Sequence, residues 1–296
     1  VMPHFGPQRS GVPVKHDLFL QELAAAPATR PSIVLGSLVS GASLAAMTYG
    51  RLLRLPTVLR LGGDDLARAR GSVIGKAQGR YLVWTADAIV VNADHLTSQL
   101  ADFKTRPGSI VRTIRNGVAS GRPISPDPAS RDGMARRTRA IYYTNGGALK
   151  NDPAFIRIVT ANQDIEFRAI GKTGGLPDLP NLERRGWCDD VQAELAWADV
   201  VVNTSTFEGC PNFCMQGLGV GKPVAGFDNE GIRELAAAYP EDVFVTSMDD
   251  QAGFDRILRS HEWRRHRVIA AVRSTTETAS EWDRLFDGLL ASRSPK

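Results

Sequence analysis

The stretch Ala198–Leu235, ADVVVNTSTFEGCPNFCMQGLGVGKPVAGFDNEGIREL, decides how the chain is read. Val200-Val-Val202 is a short β-branched run of the kind buried on both faces of a parallel sheet. It gives way to a polar loop, Asn203-Thr-Ser-Thr206, then to Phe207-Glu-Gly-Cys-Pro-Asn212 and a helix expected from about Asn212 to Val220. Gly221-Lys-Pro-Val224 ends that helix with a C′-type glycine and starts the next strand. Glu208 thus lies at the carboxyl end of a strand, just ahead of a helix N-terminus. In open α/β sheets that edge is where ligands bind. The free N–H groups at the helix start, around Cys210 to Phe213 with Pro211 itself contributing none, form a ready anion site. The plainer alternative is a glutamate that only caps the helix. The combination of carboxylate, Gly, Pro and Asn favours a site.

The same pattern extends in both directions. Apolar β-branched runs recur at Ser32–Leu35, Thr57–Arg60, Ala88–Val91, Ser109–Ile114, Ala140–Tyr143, Glu166–Ile170, Pro223–Gly226 and Val243–Val245. Helix-period stretches lie between them, at Asp17–Ala25, Leu44–Leu55, Asp152–Thr160 and Asp189–Trp197. Strands alternating with helices give an α/β protein built from doubly wound parallel sheets. Residues 119–138 carry three Pro and no apolar period, which marks a linker or a surface loop. A regular alternation restarts beyond them, so a linker is favoured. The expected division is an N-terminal α/β domain over 1–118, a linker over 119–138, a C-terminal α/β domain over 139–275 and a final helix over 276–296. That helix, Ser280–Leu290, is amphipathic, with Ser280 as the expected N-cap. Val1–Gly6 resembles the end of a strand, and the first half is short for a doubly wound domain.

Composition excludes several classes. The 296 residues allow two domains, and 43% apolar with 23% charged residues is the balance of a soluble globular protein. No run of 18 apolar residues occurs, and Val1–Gly6 lacks the basic and apolar regions of a leader. The three cysteines, Cys188, Cys210 and Cys214, cannot all pair and fit no zinc ribbon. A reducing, cytoplasmic setting is expected. Five scattered His argue against a zinc enzyme. The first 120 residues hold 14 Lys and Arg against 7 Asp and Glu, while the remainder holds 22 against 25. A basic half implies an anionic partner: a phosphate-bearing substrate, a lipid surface or nucleic acid. Nucleic acid is the weakest of these, since no aromatic-and-basic platform accompanies the charge.

The segment Glu208-Gly-Cys-Pro-Asn212, with seven residues between Glu208 and Gln216 and then Gly221-Lys-Pro-Val224, resembles the donor-binding signature of retaining GT-B glycosyltransferases of family four. Supporting pieces follow in the family's order. Asn116-Gly-Val118 resembles the end of its N-terminal domain, Gly186-Trp187 and the helix after it a stretch of its C-terminal domain, and Gly231-Ile-Arg-Glu234 its Gly-Ile-x-Glu. The Trp282 helix resembles the one that crosses back to the first domain. The resemblance implies a GT-B fold of two Rossmann-like domains with a cleft between them. It implies a nucleotide-sugar co-substrate, UDP- or GDP-linked, with no other cofactor and no obligatory metal.

Carried onto this sequence, the resemblance makes Glu208 and Lys150 the catalytic pair. Lys150 occupies the lysine position of the family's Gly-Arg-x4-Lys-Gly loop, and Asn145, followed by Gly146, stands where the Arg would be. A solvated loop lysine is the alternative for Lys150. Gln216 replaces the second carboxylate, which in the family accepts from both ribose hydroxyls; an amide offers one acceptor oxygen and no charge. Trp187 and Cys188 are expected at the base, and Gly11 near the phosphates. On the acceptor side stand Arg60, Asp64 and His16. Gly62 occupies the place of a family histidine, and Arg60 meets either a phosphate or a nearby Asp. The adjacent Asp pairs are taken as caps and loops rather than metal ligands.

The expected function is transfer of a sugar from a nucleotide sugar to a glycan or lipid-linked acceptor, with retained configuration, as in polysaccharide biosynthesis. Peripheral contact with an anionic membrane is a further expectation. The alternative is a catalytically reduced homologue that binds a sugar nucleotide or a partner. An unrelated α/β enzyme is disfavoured, because no Gly-x-Gly-x-x-Gly or Walker loop is present.

Overall fold

The computed structural model describes residues 32–119, 137–260 and 272–292. Two parallel sheets organise the chain. In the first half β1 (Val34–Ser37), α1 (Gly41–Leu52), β2 (Thr57–Leu61), α2 (Asp65–Arg70), α3 (Val73–Thr85), β3 (Ala88–Val91), α4 (His95–Ser98) and β4 (Ile110–Thr113) follow in order. Beyond 138 come β5 (Arg139–Thr144), α5 (Asp152–Ala161), β6 (Glu166–Gly171), β7 (Leu182–Gly186), α6 (Val191–Trp197), β8 (Val200–Asn203), α7 (Asn212–Leu218), β9 (Val224–Phe227), α8 (Glu230–Ala238), β10 (Val243–Thr246), α9 (Gln251–Ser260) and α10 (Thr275–Ala291).

The first sheet runs β1-β2-β3-β4, all parallel. Right-handed crossovers between sequential neighbours put the connecting helices on one face. There Met47, Leu59, Leu82, Ile89, Val91 and Phe103 form a core. The other face is closed by α10, whose Trp282, Leu285 and Leu289 pack on Val58, Ala88, Val90 and Ile114. β3 is buried at all four positions because it is covered on both sides.

The second sheet runs β10-β9-β8-β5-β6-β7. α5 and α9 cover one face through Phe155, Ile158, Phe254 and Leu258. α6, α7 and α8 cover the other through Leu195, Met215, Leu218 and Ile232. The chain moves outward from β5 through β6 to β7, then returns to the opposite side of β5 with β8. The crevice between the carboxyl ends of β5 and β8 is therefore the topological switch point. Together the two sheets make the GT-B-like architecture.

Several expectations change. The final helix begins five residues before Ser280. Its N-cap is Ser274, in a full capping box with Glu277, while the Ser280 hydroxyl bonds back to the Thr276 carbonyl inside the helix. β7 was not anticipated: Leu182-Glu-Arg-Arg-Gly186 is an edge strand with three exposed charged residues, which leaves no apolar alternation to detect. The first sheet spans 34–113 and the second 139–246. Gly11, His16 and the helix expected at Asp17–Ala25 lie outside the described residues, as does nearly all of the expected linker.

The two halves meet along Asn116-Gly-Val118. Val118 N–H donates to the Arg273 carbonyl at 3.0 Å, and Thr275 N–H donates to the Val118 carbonyl at 3.1 Å. A Cβ at Gly117 would lie 2.3 Å from the Ser274 carbonyl oxygen, so only glycine permits this contact.

Candidate functional site

The switch point is built from two loops strapped together. At the end of β8 and just beyond it, Asn203, Thr204 and Ser205 are buried polar residues, and each has a partner, as burial of polar groups demands. The Thr204 hydroxyl donates to the Lys150 carbonyl at 2.9 Å, and the Tyr142 hydroxyl donates to the same oxygen at 2.8 Å. That single phenol proton is shared with Asp152 Oδ1, also at 2.8 Å. Burial pushes the Tyr142 phenol far up from its ordinary range, so it stays a donor. The loop after β5 is thereby held against the loop after β8.

Lys150 and Glu208 meet across that crevice. Lys150 Nζ lies 2.6 Å from Glu208 Oε1, with the side chains 17% and 12% exposed. The same oxygen accepts from Ser205 Oγ at 2.7 Å and from Asn203 Nδ2 at 3.2 Å. All three donors converge on Oε1 and none on Oε2. Lys150 Nζ also stands 5.5 Å from the centre of the Tyr143 ring, within cation–π range. The glutamate is more than a cap: α7 has Pro211 at its N-cap and no side-chain cap bond.

Around this pair lies a cleft of about 160 Å³, lined by Tyr143, Asn145, Lys150, Glu208, Asn212 and Phe213 among others. A neighbouring cleft of about 280 Å³ shares Tyr143, Asn212 and Phe213 and adds Trp187, Cys188 and Gln216. Asn145, Lys150, Cys210, Pro211, Asn212 and Phe213 thus line the first cleft, and Trp187, Cys188 and Gln216 line the second. Asn145 forms an Asx turn, accepting from Gly147 N–H at 3.0 Å, and Gly146 has φ +71°. Trp187 is 74% exposed, an indole face open to stacking. The thiols are poor nucleophiles, since burial pushes Cys188 and Cys210 up and Cys214 up to about 12.

The first half approaches the start of α7 through one side-chain relay. Arg60 donates to Asn116 Oδ1 at 3.0 Å, and Asn116 donates to Asn212 Oδ1 at 2.9 Å. Arg60 is therefore one side chain removed from the start of α7. It does not pair with Asp64, which instead binds Arg68 at 3.0 Å on the next turn. A side chain at Gly62, where the family has a histidine, would require Asn92 to move, because a Cβ there would lie 2.9 Å from Asn92 Nδ2. At Gly209 a Cβ would meet Gly63 N at 2.8 Å, so the two glycine loops touch.

Gly231 and Glu234 acquire separate roles. A Cβ at Gly231 would lie 2.5 Å from the Glu208 carbonyl oxygen. Glu234 clasps the first half, accepting from Asp94 N–H at 3.1 Å, His95 Nδ1 at 2.9 Å and Arg115 Nη2 at 2.7 Å. Burial alone would raise its pKa, but these bonds outweigh burial and bring it down to about 2 from 4.5. A carboxylate depressed in the folded state stabilises fully above its unfolded pKa and loses that contribution as pH falls through the folded value. The expected result is that the stability advantage of the natural chain over Glu234→Gln, at most about 3 kcal/mol, shrinks between about pH 5 and pH 2. Denaturant melts across that range check it; an advantage independent of pH would remove the charged clasp.

Tyr143, Asn203 and Ser205 were missed by sequence reasoning. Position at the end of a strand next to the Lys150 and Glu208 loops was the available signal. Among the described residues no group of three or more His, Cys, Asp and Glu could hold a metal ion, and no helix is long and apolar enough to cross a membrane.

The family model described as "Glycosyl transferases group 1" matches residues 152–262, a stretch that contains Glu208, Gln216, Gly231 and Glu234. Among solved structures, HepE of Anabaena in complex with UDP and glucose superimposes with a TM-score of 0.73 at 15% identity, over 92% of this chain and 82% of HepE. Sucrose-phosphate synthase from Thermosynechococcus elongatus gives 0.73 at 13% identity, over 97% and 82%. A TarM variant from S. aureus, solved with fondaparinux, alpha-GlcNAc-glycerol and UDP, gives 0.61 at 13% identity, over 86% and 55%. No curated protein matches the chain by sequence. The fold is that of the GT-B glycosyltransferases.

Proposed function

We propose that this chain is a glycosyltransferase that moves a sugar from a nucleoside diphosphate sugar to an acceptor, with retained anomeric configuration. The observation that carries this is the Lys150–Glu208 pair at the switch point of the second sheet, 2.6 Å apart, beside a cleft that ends in Trp187 and Gln216. As the glycosidic bond breaks, the leaving diphosphate gains negative charge. Lys150 and the first-turn amides of α7 stand where that charge would develop, the arrangement by which preorganised donors lower a barrier. The cation at this position is a side chain, so we propose no obligatory metal. Glu208 Oε2, which none of its three neighbours engages, would take a sugar hydroxyl, Gln216 the ribose and Trp187 the base. The acceptor, a glycan or a lipid-linked glycan, would lie against the first half, near Arg60. UDP is the favoured nucleotide, since HepE and TarM were solved with it.

A thermal-shift panel of UDP, GDP and ADP tests the reading. A diphosphate at 100 times its dissociation constant stabilises by about 2.7 kcal/mol, and UDP is expected to give the largest shift. No shift with any of the three would overturn the donor site. Binding without cleavage of the sugar nucleotide, in the presence of any acceptor glycan, would instead favour the reduced binding subunit. Gln216→Glu is expected to tighten nucleoside diphosphate binding, because a carboxylate accepts from both ribose hydroxyls. Flat or weaker affinity by calorimetry would move the ribose elsewhere.

A further inference from the structure

Two neighbouring helices of the first half present an acid-free outer face. α1 and α3 contain no Asp or Glu along their whole lengths, GASLAAMTYGRL and VIGKAQGRYLVWT. They lie side by side, joined by the Thr48 and Tyr81 hydroxyls at 2.8 Å. α3 turns Gly79, Leu82 and Val83 inward and leaves a stripe outward. Val73 and Ile74 in its first turn are 84% and 80% exposed, and Tyr81 and Trp84 continue the stripe at helical spacing. Leu52, at the end of α1, is 77% exposed. Single exposed apolar residues are ordinary, but a row of them on one acid-free face is not.

The charges on this face have one sign. Lys76 and Arg80 rise from the α3 stripe and have no ion-pair partner among the described residues. Lys104 sits over the Trp84 ring at 5.9 Å. The nearby acids are already engaged: Asp64 and Asp65 with Arg68, Asp102 with Arg70, and Asp87 with Arg51 and Arg106. From Val73 to Trp84 the stripe runs about 17 Å at 1.5 Å per residue, straight along one side of the helix. Aliphatic and aromatic groups interleaved with Lys and Arg on one helix face, with no acids, is the composition that lies in a lipid–water interface.

We propose that the α1–α3 face docks on an anionic phospholipid bilayer, with Val73 and Ile74 entering the acyl boundary and Lys76 and Arg80 meeting lipid phosphates. Charge complementarity selects this occupant over a neutral surface, and the exposed aliphatic pair selects it over a soluble polyanion. The inference does not rest on sugar transfer, because docking requires neither donor nor acceptor.

Co-sedimentation of the full chain with vesicles tests it. Binding is expected to phosphatidylglycerol-containing vesicles at low salt, not to phosphatidylcholine alone, and to fade at high salt as the Debye length shrinks. Each basic side chain near such a surface is worth about fivefold in partitioning, so Lys76→Gln with Arg80→Gln should lower it about twenty-five-fold. Val73→Ser with Ile74→Ser should lower it tenfold or more while leaving the melting transition unchanged. Absence of binding to anionic vesicles at low salt overturns the proposal, and so does binding that survives either double variant. Retention on heparin that is lost with the charge variant alone, together with vesicle binding indifferent to Val73 and Ile74, assigns the face to a soluble polyanion instead.

Discussion

Glu208→Ala should reduce sugar transfer by at least about a thousandfold, or about 4 kcal/mol of transition-state stabilisation, while the chain still folds. The side chain stands at the carboxyl end of β8 and holds Lys150, Ser205 and Asn203 on one oxygen. Removing it takes away both the proposed acceptor for a sugar hydroxyl and the anchor that aims the lysine. Stability should fall only by about 1–3 kcal/mol, since the lysine left behind reaches solvent. Initial rates with a UDP-sugar, alongside a melting curve, decide the matter. Activity within tenfold of the natural chain would end the catalytic reading. Glu208→Gln separates two contributions, because it keeps the shape and removes the charge.

The second large effect concerns the cation. Lys150→Ala should weaken nucleoside diphosphate binding by about 1.5–3 kcal/mol, the worth of a charged hydrogen bond. In the unliganded chain Lys150 serves Glu208, so a bound diphosphate must share it. The affinity lost is therefore the surplus of lysine–phosphate attraction over this internal pair. Lys150→Arg should recover part of it, since charge survives while geometry shifts. Titration calorimetry with UDP reads the difference. Unchanged affinity would return Lys150 to a structural role at the crevice.

The parts of the molecule legible in sequence are those that local pattern encodes. β3 and β8 are wholly buried strands, and their β-branched runs announce them. α7 and the turn at Gly221 follow from Pro211, Asn212 and a glycine whose φ is +78°. Helices α2, α3 and α9 were not picked out, although α9 buries Phe254 and Leu258 against the second sheet; the edge strand β7, with three exposed charged residues, carries no apolar alternation to find. The ion pair joins residues 58 apart, and no window of sequence contains both; only the resemblance placed them together. Asn203, Ser205 and Tyr143 act through contacts made after the sheet has formed, so residue type alone does not mark them. Arg60 and Asp64 looked like a natural pair, but Arg68 lies one helical turn from Asp64 and takes it, while Arg60 bonds Asn116.

α10 closes one face of the first sheet with residues from the far end of the chain. Ile114 precedes Trp282, Leu285 and Leu289, which shield it, by more than half of the sequence. At about 5–20 residues per second on the ribosome, Val58, Ala88 and Val90 wait on the order of ten seconds or more for their cover. During that interval the early half displays the apolar side of a parallel sheet, a template for association with other nascent chains. Its completion waits on a segment far downstream rather than on its own sequence, so chaperone occupancy on stalled ribosomes should be greatest between emergence of β4 and emergence of α10.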